Sequence, residues 1–269
     1  MAVDEKTKKV RKELANDLNK YCELIQPFLA SQIIKFDFQT ALSSLNNLNK
    51  ACCIGKVYHS SYWNYKISQI EIKLGKDIPK KKLPKSVCDL KLIISIEVSG
   101  DTNKTNEIDP FQSLSFNFSV KGDFICEKTG DLKTAVTSYH LDRHIYDDGD
   151  NIPEEPHPFY HFQFGGKKLI DEFGGKIDTG ELLVLETPRI NHYPMDFILG
   201  MDYLISNFYP NVRKQLMSSK QEYRRLIEKY QIKIVKPYFQ AITSNWEKSL
   251  IQFCHSPNWT PISLYPQII

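Results

Sequence analysis

The feature that most constrains the fold is a strict alternation of apolar and polar side chains over residues 113–120. Leu114, Phe116 and Phe118 alternate there with serine and asparagine. Successive side chains of a β-strand point to opposite faces, so this period of two predicts a strand with one buried and one polar face. We expect the three apolar side chains to be buried under a helix.

Further short apolar segments surround this strand, and polar connections without a helical period join them. The predicted strands are residues 87–100, 113–120, 133–145, 159–165 and 181–186. Short strands that follow one another without intervening helices are typical of an antiparallel or mixed sheet. Most strand residues should therefore fall within residues 87–186.

Both ends of the chain carry apolar residues at spacings of three and four, which predict amphipathic helices. The predicted helices are residues 4–30, 40–53, 194–208, 211–230 and 237–253. Pro27 should end or kink the first of them. Residues 57–75 fit neither the helical nor the strand period.

The predicted fold class is therefore α+β, with a central antiparallel or mixed sheet and helical N- and C-terminal segments. We expect one compact domain with three parts. These are an N-terminal helical segment (1–75), a central β-sheet region with a histidine-rich hairpin (86–190) and a C-terminal helical segment (191–269).

Composition limits the class of protein without selecting one. The 269 residues include 41% hydrophobic residues, and 35 Lys+Arg against 32 Asp+Glu give a net charge of +3. Such a chain can bury a core without disulfides, and a charge this small does not by itself indicate nucleic-acid binding. No apolar run approaches the ~20 residues of a membrane helix, and the N-terminus lacks the apolar region of a signal peptide. We expect a cytoplasmic protein with six reduced cysteines and no membrane contact.

Ionisable side chains also follow a period of two. His140, Asp142 and His144 share one face of the strand predicted over 133–145, and His161 and Gln163 share the polar face of the next strand. We predict that residues 134–145 and 159–165 pair antiparallel, because a slip by one residue would expose the aromatic side chains. The pairing would gather the five polar side chains on one surface.

Three uses of this surface are open. In acid–base catalysis, His140, His144 and His161 would transfer protons while Asp142 orients them. In a structural role, the histidines would form a hydrogen-bonded network. A metal site would need Asp142, His161 and one of the other two histidines, whose Cα atoms lie ~13 Å apart along the strand. Since a metal uses only part of the pattern, we assign catalytic roles to all four residues and expect no metal and no cofactor.

Phosphate recognition is assigned to Arg189, Gln163 and His192. Arg189 and His192 follow the last predicted strand, and a guanidinium can hold a phosphate in a bidentate manner. Pairing of Arg189 with Glu186 or with the acidic loop is the alternative. That loop, residues 147–155, is rich in Asp and Glu. A solvated loop is the favoured interpretation, and binding of a divalent cation there stays open.

The pattern Y-H-x-D-x-H, an acidic turn and H-P-x-Y-H-x-Q-x-G-G occupies residues 139–166, and E-T-P-R-I-N-H-Y-P-M follows at 186–195. It resembles uncharacterised bacterial proteins of defence islands and toxin–antitoxin loci, over about residues 138–208. The resemblance implies a component of an anti-phage defence or toxin system, acting as a metal-independent nuclease on RNA or DNA. The alternative is a non-catalytic subunit or scaffold of a defence complex. Proteins of the same operon are the expected partners.

Overall fold

A computed structural model describes ten stretches or single positions of the chain: residues 4–50, 61–75, 87–104, 109, 111–143, 158–165, 169, 189–244, 246 and 264–266. The strands are β1 Ile33–Phe36, β2 Tyr62–Lys73, β3 Cys88–Asp101, β4 Ser113–Ile125, β5 Leu132–Arg143, β6 Tyr160–Phe164 and β7 Ile190–Asn191. The helices are α1 Glu5–Leu29, α2 Gln39–Lys50, α3 Phe197–Phe208, α4 Pro210–Ser219, α5 Gln221–Tyr230 and α6 Lys236–Thr243. A π-helical turn over Gln231–Val235 joins the last two helices.

The seven strands form one sheet in chain order, and each strand pairs antiparallel with the next. The α+β class is thus confirmed, and the described sheet is wholly antiparallel. Most of its strand residues fall within residues 87–186, as predicted. The segment 1–75 is not only helical, however, because it supplies β1 and β2. The predicted strand 181–186 lies outside the described residues.

A β-bulge explains why residues 57–75 showed no clear period. Along β2 the pairing with β3 shifts between Ile67 and Ile70, so that two residues three apart both point into the core. One extra residue shifts the alternation of buried and exposed side chains by one position, so the same face of the sheet stays buried on both sides of the bulge. The sequence therefore reads as neither helix nor strand, although residues 62–73 are a single strand.

Helices cover the apolar face of the sheet. Leu114, Phe116 and Phe118 are buried, as predicted. A Cβ on Gly200 of α3 would lie 2.8 Å from the ring of Phe116, and the ring centroids of Phe118 and Tyr203 are 6.4 Å apart. The α3 helix therefore lies directly on β4, which places the core between the sheet and the terminal helices.

The C-terminal helices differ from the prediction at two points. The helix predicted over 211–230 is broken at Lys220, whose backbone is extended. The hydroxyls of Ser218 and Ser219 donate to the carbonyl of Gln215, and such local bonds compete with the helix. The helix predicted to begin at Pro237 is not a separate helix at its start. The π-helical turn over Gln231–Val235 connects it directly to α5, so the helical backbone is continuous.

Among the residues that the structure describes, no helix combines the length and the hydropathy that crossing a bilayer requires.

Candidate functional site

The predicted hairpin of histidine-bearing strands is present, and its register is confirmed. Across β5 and β6, Asp142 lies opposite His161 and His140 lies opposite Gln163. The four side chains alternate with Leu141 and the aromatic residues of β6, so they occupy the face of the sheet away from α3. His144 lies outside the described residues.

Neighbouring strands extend this polar face into two rows. In the first row, Asn117 of β4 lies opposite His140. In the second row, Ser115 lies opposite Asp142, and Asn191 of β7 lies opposite His161. Directly opposed residues in antiparallel strands have Cβ atoms ~4.5–5.5 Å apart. The two histidines and the aspartate therefore lie among neutral hydrogen-bonding side chains.

Three of these side chains converge on one point. One ligand-type atom from each of His140, Asp142 and His161 lies within 4.8 Å of the other two. The Nε2 atom of His140 is 3.7 Å from Oδ2 of Asp142, and the two imidazole centroids are 6.0 Å apart. We call these three residues the His–Asp–His cluster.

The His–Asp–His cluster is largely shielded from solvent. His140 and His161 are each 6% exposed, whereas the side chain of Asp142 keeps 27% of its surface. Solvent thus reaches the cluster at the carboxylate and hardly at the two rings. Within the described residues, Oδ1 of Asp142 is buried and has no hydrogen-bond partner. A polar atom in that position favours a further ligand, because an unsatisfied buried acceptor is costly.

A buried ion pair anchors the end of this hairpin on the other face of the sheet. Arg143 Nε donates to Asp109 Oδ2 over 3.0 Å, and the Tyr160 hydroxyl donates to Asp109 Oδ1 over 2.5 Å. The guanidinium also lies 4.4 Å from the ring centroid of Phe159. Arg143 and Tyr160 lie directly opposite each other where β5 pairs with β6. Because both bind the carboxylate of Asp109, this contact fixes the register of the two strands beside the cluster.

His192 does not join the cluster. Its ring lies 5.5 Å from that of Phe162 and 6.2 Å from that of Tyr203, which places it on the helix-covered face. Its Nδ1 donates to the carbonyl of Tyr193 over 2.7 Å. Burial lowers the pKa of His192, so a neutral imidazole is favoured there. The alternation along β7 explains the difference, because His192 is one residue beyond Asn191.

Of the other residues in the predicted site, the structure describes Gln163 and Arg189. Gln163 is buried beside His140, as the hairpin required. Arg189 is half-buried and immediately precedes β7. Glu186 and the acidic loop 147–155 lie outside the described residues.

Two further polar side chains on this face escaped the sequence interpretation. Asn117 lies opposite His140, and Ser138 lies two residues before it on the same face. Asn117 belongs to the polar half of the alternation in β4, but that pattern alone gives no register against β5. Within the described part of the chain, Oδ1 of Asn117 and Oγ of Ser138 are buried without a hydrogen-bond partner.

The cluster offers a donor set that divalent transition metals prefer. Two imidazole nitrogens and one carboxylate oxygen bind Zn²⁺ at ~2.0–2.2 Å, which sets ligand atoms about 3.4 Å apart in a tetrahedron. The 3.7 Å between His140 and Asp142 is close to that value. The third ligand atom lies within 4.8 Å of both.

Comparisons with known proteins give no guide to this site. No protein-family model, no curated protein and no solved structure matches the chain. The geometry of the His–Asp–His cluster is therefore the basis for inferring a function.

Proposed function

We propose that this protein acts through a single divalent transition-metal ion held by His140, Asp142 and His161. The observation that carries the proposal is the convergence of three ligand-type atoms within 4.8 Å of one another. The ligands come from adjacent strands whose pairing is fixed, so the site is preorganised by the sheet. This differs from the sequence expectation of a site without metal.

Among the described residues the cluster offers three protein ligands, which is the number typical of a catalytic metal site. Structural zinc sites are closed by four protein ligands, whereas catalytic sites keep a position for water or substrate. The exposed part of Asp142 marks the side from which that position would be reached. Two histidines and one carboxylate suit Zn²⁺, Fe²⁺, Co²⁺ or Mn²⁺ better than Ca²⁺ or Mg²⁺.

The chain's own residues would have distinct roles. His140 and His161 would contribute neutral imidazole nitrogens, and Asp142 would supply one negative charge and leave the centre with a net charge of +1. A bound ion of this kind lowers the pKa of its water and acts as a Lewis acid, which favours hydrolysis as the reaction class. Because the imidazoles must be unprotonated to bind, metal affinity should fall at acid pH.

A metal titration with matched variants tests this proposal. Asp142→Asn removes the anionic ligand and should weaken Co²⁺ or Zn²⁺ binding by roughly 100-fold or more, because even outer-shell changes cost 10–100-fold. Asp123→Asn is the control, since Asp123 is another carboxylate of the same sheet. It lies eight residues along β4 from Ser115, roughly 27 Å away at ~3.4 Å per residue.

The histidines can be tested in the same titration. His161→Ala should also lose metal affinity, whereas His192→Gln should retain it because His192 lies on the opposite face. Equal affinities for wild type, Asp142→Asn and His161→Ala would refute the metal site. Circular dichroism of each variant would separate ligand loss from unfolding.

A metal-independent nuclease is the second candidate. The 6.0 Å between the His140 and His161 rings is within reach of a shared phosphate, which favours this function. Their burial opposes it, because a polymer needs an open cleft. Phosphodiester hydrolysis that persists in EDTA and disappears in His140→Ala would support the nuclease over the metal centre. Membership of a bacterial defence or toxin system, and the alternative of a non-catalytic subunit, stay predictions.

A further inference from the structure

A cleft lies between α3, α4 and the π-helical turn, on the side of the sheet that the helices cover. Its volume is about 350 Å³, which is within the range of small-molecule sites. We propose that this cleft binds a small aromatic carboxylate. The site is separate from the His–Asp–His cluster, which lies on the opposite face of the sheet, and it does not depend on a metal ion.

Two tyrosine rings form the aromatic part of the cleft. Tyr193 precedes α3 and Tyr203 lies on it, and both are half-buried. The ring centroid of His192 is 4.2 Å from that of Tyr193 and 6.2 Å from that of Tyr203, so the imidazole packs against both. Leu199 and Val235 add aliphatic surface. A planar apolar ligand can stack on aromatic rings that are held in this way.

Arg213 of α4 supplies the charged group of the cleft. Its Nε and Nη2 atoms donate to the two carboxylate oxygens of Asp202 over 2.9 and 3.1 Å. The Tyr223 hydroxyl donates to the same carboxylate over 2.6 Å, so a buried acceptor fixes the plane of the guanidinium. A guanidinium carries five N–H groups, and Asp202 takes two of them. Among the described residues the other three have no partner, and 33% of the Arg213 side chain is exposed.

The remaining N–H groups of Arg213 favour a carboxylate. Nη1 and Nη2 present two parallel N–H bonds at the end of the guanidinium, and this pair matches the two oxygens of a carboxylate. Asp202 is the only acidic residue among the described residues that line the cleft. Because Asp202 already balances the charge of Arg213, the cleft suits a monoanion better than a phosphate dianion.

The π-helical turn forms the third wall. The N–H of Lys236 donates to the carbonyl of Gln231, which is the five-residue bond of a π-helix. Gln231 and Val235, the first and last residues of this turn, both line the cleft. Such turns within α-helices occur frequently at functional sites. Gln231 is exposed, so it can be replaced without disturbing the core.

Calorimetric titration of the full chain in EDTA tests the site, because EDTA prevents a carboxylate from binding through a metal ion. The probes are 2-naphthoate and indole-3-acetate, each compared with its neutral amide. We expect saturable one-to-one binding of at least one acid, about tenfold or more tighter than its amide. Arg213→Lys keeps a positive charge beside Asp202 but loses the parallel N–H pair. In this variant the acid should bind as weakly as the amide, whose affinity should not change.

Gln231→Trp should fill the cleft and weaken binding of the acid by about tenfold or more. Gln221→Trp is the matched control, since Gln221 is also exposed and lies ten residues earlier, about 15 Å along the helix. Urea unfolding of each variant separates loss of the site from loss of the fold. No saturable binding of either acid, equal affinity for acid and amide, or equal effects of the two tryptophan variants would overturn the carboxylate site. Tighter binding of phenyl phosphate than of either acid would overturn it in favour of a phosphate monoester. None of these outcomes affects the proposed metal site.

Discussion

At the scale of single residues, the candidate site consists of ionisable side chains that are buried although they lie on the polar face of the sheet. Asp142 and the two histidines lie on the face away from α3, yet both rings are as well buried as core side chains. Burying ionisable groups costs free energy unless they are paired or bind a metal. The same reasoning applies to a second buried carboxylate, Asp196, which caps α3.

The pH dependence of stability should reveal Asp196. Burial raises the pKa of Asp196 to about 7, against about 3.9 in an unfolded chain. Between these values the folded state holds a proton that the unfolded state has released. The free energy of unfolding should therefore decrease as the pH rises from about 4 to about 7. Asp196→Asn keeps the cap to the Leu199 N–H and removes this dependence, so the variant should be more stable than wild type at pH 8. Urea denaturation at pH 5 and pH 8 measures the difference.

Asp4 provides a control of opposite sign. It caps α1, and hydrogen bonds from Thr7 lower its pKa. The hydrogen bonds to the Asp4 carboxylate therefore stabilise the folded state above about pH 4, and this stabilisation is lost as the pH falls through the folded-state pKa of Asp4. Asp4→Asn should thus reduce the pH dependence of the free energy of unfolding at acid pH and leave it unaffected between pH 5 and 8. A wild-type slope between pH 5 and 8 that persists in Asp196→Asn would show that Asp196 does not carry it.

At the scale of elements, the order of the strands determines which residues meet. Consecutive strands pair throughout the described sheet, so β5 and β6 bring His140 and His161 together through simple hairpin adjacency. The α3 helix packs against the other face of this sheet. Gly200 of α3 allows that helix to lie directly on the ring of Phe116.

Gly200→Ala should destabilise the protein by about 1–3 kcal/mol, although alanine is normally the better helix former. The new Cβ would lie 2.8 Å from Cζ of Phe116, whose ring is fully buried and cannot move freely. Gly75→Ala is the control, because its Cβ would meet no atom within 4 Å. Thermal or urea unfolding of the two variants gives the comparison. Equal stability would contradict the close packing of α3 on β4.

At the scale of the whole molecule, the sequence predicts what depends on local periodicity. Alternation around Phe116 and around His161 was sufficient to predict the sheet, its buried face and the pairing of the two site strands. The bulge at Ile67–Ile70 was not predictable, because it changes the phase of the same signal. Nor was the position of Asn117 opposite His140, since it depends on the β4–β5 register, and no local pattern encodes that register.

The burial of the polar face also escaped prediction. Alternation distinguishes the two faces of a strand, but it does not show whether the polar one is covered. The alternation therefore predicts that His140 and His161 belong to a surface for acid–base chemistry, whereas their 6% exposure favours a shielded centre. That single difference changes the preferred chemistry from proton transfer on a polymer to metal binding.

The metal site stands or falls on whether His140, Asp142 and His161 bind one divalent ion together. X-ray absorption spectroscopy of the purified chain loaded with one equivalent of Zn²⁺ measures this, because imidazole ligands give a characteristic scattering signature. We expect two imidazoles and oxygen ligands at ~2.0–2.2 Å in wild type, and one imidazole in His161→Ala. A wild-type ion with no imidazole ligand, or a spectrum unchanged by His161→Ala, would refute the metal site.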